Sequence, residues 1–135
     1  QAGDKLQTAC KLVAKARSLG LRVTVFCPDR DMASRLDKLL WTASATGFIP
    51  HCRPDDRLAP VTPVLIDTDG KAEGHDEVLI NLHSEWPASF SRFQRLAEIV
   101  GTEDEDRAAA RNRYRFYRDR GYSIRTHDLA AVASR

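Results

Sequence analysis

The sequence is short of most features that mark a specialised chain. No apolar run approaches the roughly 18–20 residues that a membrane helix needs, so no membrane association is expected. The opening QAGDKLQTAC has neither a basic n-region nor an apolar h-region, and no secretory signal is expected. Charge of one sign is also scarce: 21 Lys+Arg against 19 Asp+Glu leave a net +2 over 135 residues. That balance argues against an acidic disordered tail or a histone-like DNA coat. Aromatics make up only 7% of the chain, beside 42% hydrophobic and 30% charged residues, an ordinary globular composition. The three cysteines, at 10, 27 and 52, are odd in number and irregular in spacing. A disulfide framework normally uses an even set in an oxidising compartment, so reduced thiols and a cytoplasmic location are expected. The length fits one domain, since domains typically run roughly 100–150 residues.

What is present reads as alternating helices and strands. Asp4 and Gln7 form a capping box, followed by Leu6, Ala9, Cys10, Val13 and Ala16 at helical spacing, with Gly20 as the stop. Residues 22–27 (RVTVFC) are β-branched and apolar, a buried strand. Pro28-Asp29 ends it and caps a second helix whose face is Met32, Ala33, Leu36, Leu39 and Leu40, closing near Trp41. Two further apolar strands follow at 63–66 and 77–82, with turn chemistry at Asp67-Thr68-Asp69-Gly70 that suggests a hairpin-like excursion. Pro87 opens a short helical piece through Phe90 and Phe93, and 95–100 is a further strand. A last helix over about 103–120 carries acids in its first turn and arginines later, matching the helix macrodipole, and ends at Gly121. The pattern predicts an α/β fold with a mostly parallel sheet.

Chemistry-bearing motifs are few. There is no GxxxxGK[ST] and no GxGxxG after a strand. At the first strand-to-helix junction, Pro28 removes a donor, and Asp29 and Asp31 would repel a phosphate. The fold is therefore nucleotide-binding-like but without a phosphate loop, and no cofactor is expected. His51, His75, His83 and His127 lack HExxH or CxxC partners, so no metal site is expected. His51 and Cys52, being adjacent, would point to opposite faces of a strand. Residues 67–76 evoke a calcium loop, but their glycine falls at position four instead of six, and a solvated turn is the simpler reading. Cys27, at a strand's carboxyl end, is either a nucleophile in a small α/β enzyme or, more simply, a buried apolar residue.

Two constellations remain. The segment from Trp41 to His51 places large aromatics around small turn residues; these either fold back into the core or form a partner surface. On the last helix, Arg107, Arg111, Tyr114 and Arg118 share one stripe, with Arg113 and Arg120 towards the side of Ala109 and Phe116. Like charges four apart repel on a helix, so helix stability does not explain this stripe. It is a solvated basic face, a receptor for an anion with an apolar side, or a direct binder of single-stranded nucleic acid. Few aromatics and the acidic first turn weigh against the last of these.

Several blocks, in order, resemble the chi subunit of bacterial DNA polymerase III. They are Asp4-Lys5-Leu6, LDKLLW at 36–41, Phe48-Ile49-Pro50-His51, VLINL at 78–82 and RNRYRFYRDRGY at 111–122. The resemblance spans essentially the whole chain and implies a single chi-like domain over 1–135 with an α/β three-layer sandwich. Family members usually begin one strand earlier, so that strand is expected to be missing here. The resemblance further implies a non-catalytic clamp-loader accessory protein, a component of a DNA-directed DNA polymerase in DNA replication. Its implied partners are the psi subunit and the acidic C-terminal tail of single-stranded-DNA-binding protein, which ends in phenylalanine with a free carboxylate. A helicase is a further partner it admits, and contact with nucleic acid would be indirect.

Carried over by position, the tail site comprises Val100, Arg107, Arg111, Tyr114 and Arg118, with Arg107 standing where the family often has lysine. The psi-facing surface comprises Trp41, Phe48, Ile49 and Pro50. In this account Arg111 clamps the terminal carboxylate, a charge-assisted pair of roughly 1.5–3 kcal/mol. Val100 and Tyr114 line a pocket for the terminal ring, at about 25 cal/mol per Å² of apolar area. Arg107 and Arg118 attract upstream acids for about 0.2–1 kcal/mol each. Micromolar affinity, about −8 kcal/mol, is the expected scale.

Overall fold

A computed structural model describes residues 2–42, 49–70, 76–83, 92–100, 104–121 and 124–128. The first helix, α1 (Ala2–Ser18), buries Leu6, Ala9, Cys10, Val13 and Ala16, the stripe its spacing predicts. Gly20 takes φ +75°, and the chain closes back through Leu21 N–H donating to the Ala16 carbonyl at 3.0 Å, a glycine-dependent helix stop. Strand β1 (Val23–Phe26) is buried along its whole length, as expected of a central strand covered on both faces. Helix α2 (Arg30–Thr42) buries Ala33, Leu36 and Leu40. The sheet continues with β2 (His51–Cys52), β3 (Val64–Asp67), β4 (Val78–Asn81) and β5 (Arg95–Val100), then α3 (Asp104–Asp119) and β6 (Ile124–Asp128).

The strand order is β2-β3-β1-β4-β5-β6, and every pair is parallel. The hairpin-like excursion expected at Asp67–Gly70 is therefore not formed. The turn itself is there, with Asp67 Oδ1 accepting the Asp69 N–H at 3.2 Å and Gly70 at φ +76°. The chain leaving it, however, passes β1 and docks as β4 on that strand's other edge, because β3 already holds the near one. Asp67, the last residue of β3, is buried, whereas Asp69 in the turn is exposed, and residues 71–75 lie outside the described residues.

Period-two alternation divides the core between two layers. Val23, Val25, Val64, Ile66, Ile80 and Ile99 pack with the inward faces of α1 and α2. Phe26, Leu79, Phe93 and Leu96 point the other way and pack with Tyr117 of α3. This gives the expected three-layer α/β sandwich. The Pro87–Phe90 part of the expected short helical piece lies outside the described residues.

Candidate protein-docking site

Helix α3 carries two sets of cationic side chains with opposite fates. Arg107, Arg111 and Arg118 are exposed, and Tyr114 between them is 46% exposed. Among the described residues Arg111 pairs with no carboxylate. Arg118 Nη2 lies 3.5 Å from Asp119 Oδ1, both side chains being well exposed, a contact of little energetic weight. Four of the five residues expected at the tail site thus share one helix, with the charged groups turned to solvent. The fifth, Val100, ends β5, and its side chain lies outside the described residues.

The inward face is different. Arg113 is buried, and its Nε donates to Glu98 Oε2 at 2.9 Å. Glu98 sits on β5 directly beside Asn81 of β4, whose Nδ2 donates to both carboxylate oxygens at 3.1 and 3.3 Å. Asn81 Oδ1 in turn accepts the His83 N–H at 2.9 Å. The Tyr117 hydroxyl completes the group by hydrogen-bonding to Glu98. Burial pushes the Glu98 carboxyl above the ordinary range, partly offset by the Arg113 charge and the donors around it. Burial, then the neighbouring carboxylate, pushes the Tyr117 hydroxyl up as well, so it stays a donor. The pair fixes α3 on the sheet, because a guanidinium buried without this carboxylate would be strongly unfavourable. The sequence reading put Arg113 off the stripe but missed its role. The available signal was a polar residue in each of two adjacent buried strands, Asn81 and Glu98.

The second candidate surface lies on the other face and towards the opposite sheet edge, where α2 packs on β2 and β3. Trp41 is 60% exposed, which resolves the choice between core and surface in favour of surface. Its ring meets His51 edge-on, centroids 5.6 Å apart. The buried His51 ring is held by Nδ1–H donating to the Ile49 carbonyl at 2.7 Å, and its Nε2 lies 2.9 Å from Asp37 Oδ1. Pro50 is exposed, whereas Ile49 is half-buried against the α1–α2 core layer. Phe48 lies outside the described residues. As expected of adjacent strand residues, Cys52 packs the other way, against Ala59 and Leu65.

Among the described residues, the strand-to-helix junction after β1 is occupied by its own side chains. Asp29 Oδ1 accepts the Met32 N–H at 2.8 Å, so a side-chain carboxylate takes an amide that a phosphate would use at this helix start. Cys27 is fully buried, and burial, only partly offset by Arg53 and reinforced by Asp29 and Asp67, pushes its thiol up to about 12. A thiolate nucleophile at neutral pH is not available there. The nearby cavity of about 270 Å³ at the carboxyl end of β3 is lined by Arg30 and Arg53 against Asp55, Asp67 and Asp69, charges of both signs. Among the described residues no three His, Cys, Asp or Glu side chains converge as metal ligands. There, too, no helix is long and apolar enough to cross a membrane.

These observations define a class: a parallel α/β sandwich of nucleotide-binding type whose helix-start amide is taken by its own carboxylate and whose last helix turns arginines and a tyrosine to solvent. The family described as DNA polymerase III chi subunit, HolC, matches residues 1–125. The chain belongs to this family, whose place is in DNA replication. It is 40% identical to DNA polymerase III subunit chi of Pseudomonas aeruginosa over 129 residues, covering 95% of this chain and 89% of that one. It is 31% identical to DNA polymerase III subunit chi of Escherichia coli K12 over 121 residues, covering 89% of this chain and 82% of the relative.

Proposed function

We propose that this chain is a non-catalytic, cytoplasmic accessory subunit of the DNA polymerase III holoenzyme. It joins the clamp loader, through psi, to single-stranded-DNA-binding protein, through that protein's acidic C-terminal tail. Arg107, Arg111, Tyr114 and Arg118, together with Val100, form the tail site; Trp41, Phe48, Ile49 and Pro50 face psi. The single observation that carries the reading is the division of labour on α3. Arg113 is committed to an internal carboxylate, whereas Arg111 is exposed with no carboxylate partner among the described residues. A guanidinium so placed suits bidentate capture of a terminal carboxylate, with Tyr114 as an adjacent flat wall. Separation of the two surfaces to opposite faces of the sheet supports simultaneous engagement of two partners.

The test is a pull-down and fluorescence polarisation with a peptide ending Asp-Asp-Ile-Pro-Phe, repeated without the final Phe and with Arg111→Ala. Binding is expected to require both the Phe and Arg111, with the variant still folded. Equal affinity in wild type and variant at low salt would reject the site. Strong, salt-sensitive retention of the chain alone on single-stranded DNA would favour direct nucleic-acid binding instead.

A further inference from the structure

We propose that the cavity at the carboxyl ends of β2 and β3 binds a small phosphate ester, with Arg53 and Arg30 on the phosphate and Asp55 on the ester's hydroxyl groups. The site uses none of the residues assigned to the tail or psi surfaces and depends on neither reading. Three connections build it. Arg53 and Asp55 follow β2, Thr68 and Asp69 follow β3, and Arg30 opens α2 just after β1. Open parallel sheets gather their ligands outside these carboxyl ends. At about 270 Å³ the cavity is small beside ligand clefts, which run from about 300 Å³ upwards. It suits a sugar phosphate better than a dinucleotide.

An unanswered guanidinium carries the inference. Arg53 is half-buried. Its Nη2 donates to Thr68 Oγ1 at 3.0 Å, but its Nε is buried and meets no acceptor. Buried polar groups are nearly always hydrogen-bonded, so an orphan of this kind marks a place that an ion or ligand group completes. No carboxylate pairs with Arg53 among the described residues. Asp67 lines the same cavity, yet it forms no ion pair with Arg53, and its Oδ1 accepts the Asp69 N–H at 3.2 Å. The fold treats Arg113 differently, giving it Glu98 at 2.9 Å. Arg30, exposed on the cavity, is likewise without a carboxylate partner among the described residues. Two guanidiniums on one cavity match the near-double charge and the several acceptor oxygens of a phosphate monoester.

The acids decide what accompanies the phosphate. Asp55 and Asp69 are exposed and line the cavity together with Asp67. Ionised carboxylates accept hydrogen bonds and donate none. They therefore disfavour a bare anion and favour a ligand that brings donors with its phosphate. Asp55 has no hydrogen-bond or ion-pair partner among the described residues, which leaves both its oxygens for hydroxyl groups. The amino end of α2 is not the seat of the phosphate, because Asp29 already takes the Met32 N–H there.

The experiment is a titration of the 15N-labelled full chain, followed by NMR at the arginine Nε–H signals, with ionic strength held constant by sodium chloride. The probes are ribose 5-phosphate, inorganic phosphate and ribose. Ribose 5-phosphate is expected to shift the Arg53 Nε–H saturably and to bind more tightly than inorganic phosphate, with no response to ribose. Arg53→Gln should weaken ribose 5-phosphate by at least about tenfold, the scale of a charge-assisted hydrogen bond. Arg30→Gln should weaken it by about two- to fivefold, the range of an exposed ion pair. Asp55→Ala should bring ribose 5-phosphate down to the affinity of inorganic phosphate, and Arg111→Ala should leave the titration unchanged. No saturable shift, or one unaltered by Arg53→Gln and Arg30→Gln, would overturn the site. Should Arg53→Gln fail to fold, Arg30→Gln, at an exposed position, decides alone. Equal affinity of the wild type for ribose 5-phosphate and inorganic phosphate would overturn the ester assignment.

Discussion

Arg111 and Arg113 stand two residues apart on one helix, and they show what decides the use of an arginine. Arg113 faces the sheet, loses its water, and is tolerated because Glu98, backed by Asn81 and Tyr117, meets it at 2.9 Å. Arg111 keeps its water and faces no carboxylate among the described residues. The first cation holds the helix in place; the second is available to something outside the molecule. Net charge and composition are blind to this difference. What separates the two residues is about 160° of rotation on the helix and the identity of one strand residue.

The comparison can be broken most forcefully from the inside. Glu98→Ala leaves Arg113 buried without its carboxylate and is expected to cost about 3–5 kcal/mol, measured by urea unfolding. Glu98→Gln keeps an acceptor oxygen but not the charge and should cost less than Glu98→Ala. Because burial raises the Glu98 carboxyl in the folded state, ionising it is harder there than in the unfolded chain. Wild-type stability relative to Glu98→Gln should therefore be greatest below the ordinary glutamate range, about 4.3, and decline as pH rises through the raised folded value. A difference independent of pH between 4 and 7 would contradict the burial argument.

On the outside the signature reverses. Arg111→Ala should lower tail-peptide affinity by about 1.5–3 kcal/mol, at least tenfold, while shifting unfolding by no more than about 0.5 kcal/mol. Equal losses in binding and stability would merge the two arginines into one structural role. The α2 surface offers a parallel case. Trp41→Ala should reduce psi binding by about 2 kcal/mol, the scale of a buried aromatic anchor, with unfolding much less affected. The smallest effect belongs to Arg35, whose exposed partner is Asp31. Arg35→Ala should change stability by no more than about 0.5 kcal/mol, and a larger change would mean that exposed arginine pairs matter here more than their solvation suggests.

Much of this was legible in the sequence because periodicity reports which side of an element is covered. The faces of α1 and α2, the buried β1 and the exposed stripe of α3 follow directly from spacing. What was missed has physical causes. Strand β2 has only two residues, His51 and Cys52, too few to show alternation. Strand β6, Ile-Arg-Thr-His-Asp, lies at the sheet edge and needs little apolar content. The Asp67–Gly70 turn was correctly read as a turn, yet local turn chemistry does not say which strand the chain joins next. Arg113 was overlooked because arginine is rarely buried unless paired, and its partner lies 15 residues away on another element.

The central position of β1 between β3 and β4 has a bearing on how the chain is made. Phe26 emerges from the ribosome well before its sheet neighbours at Asp67 and Asn81. At about 5–20 residues per second, this buried strand waits several seconds for either edge to be filled. During synthesis α1 and α2, the flanking helices made around the same time, shelter the face of β1 that carries Val23 and Val25. Substitutions on their inward faces, such as at Leu36 or Val13, would accordingly lower the yield of newly made protein more than their effect on the finished fold accounts for.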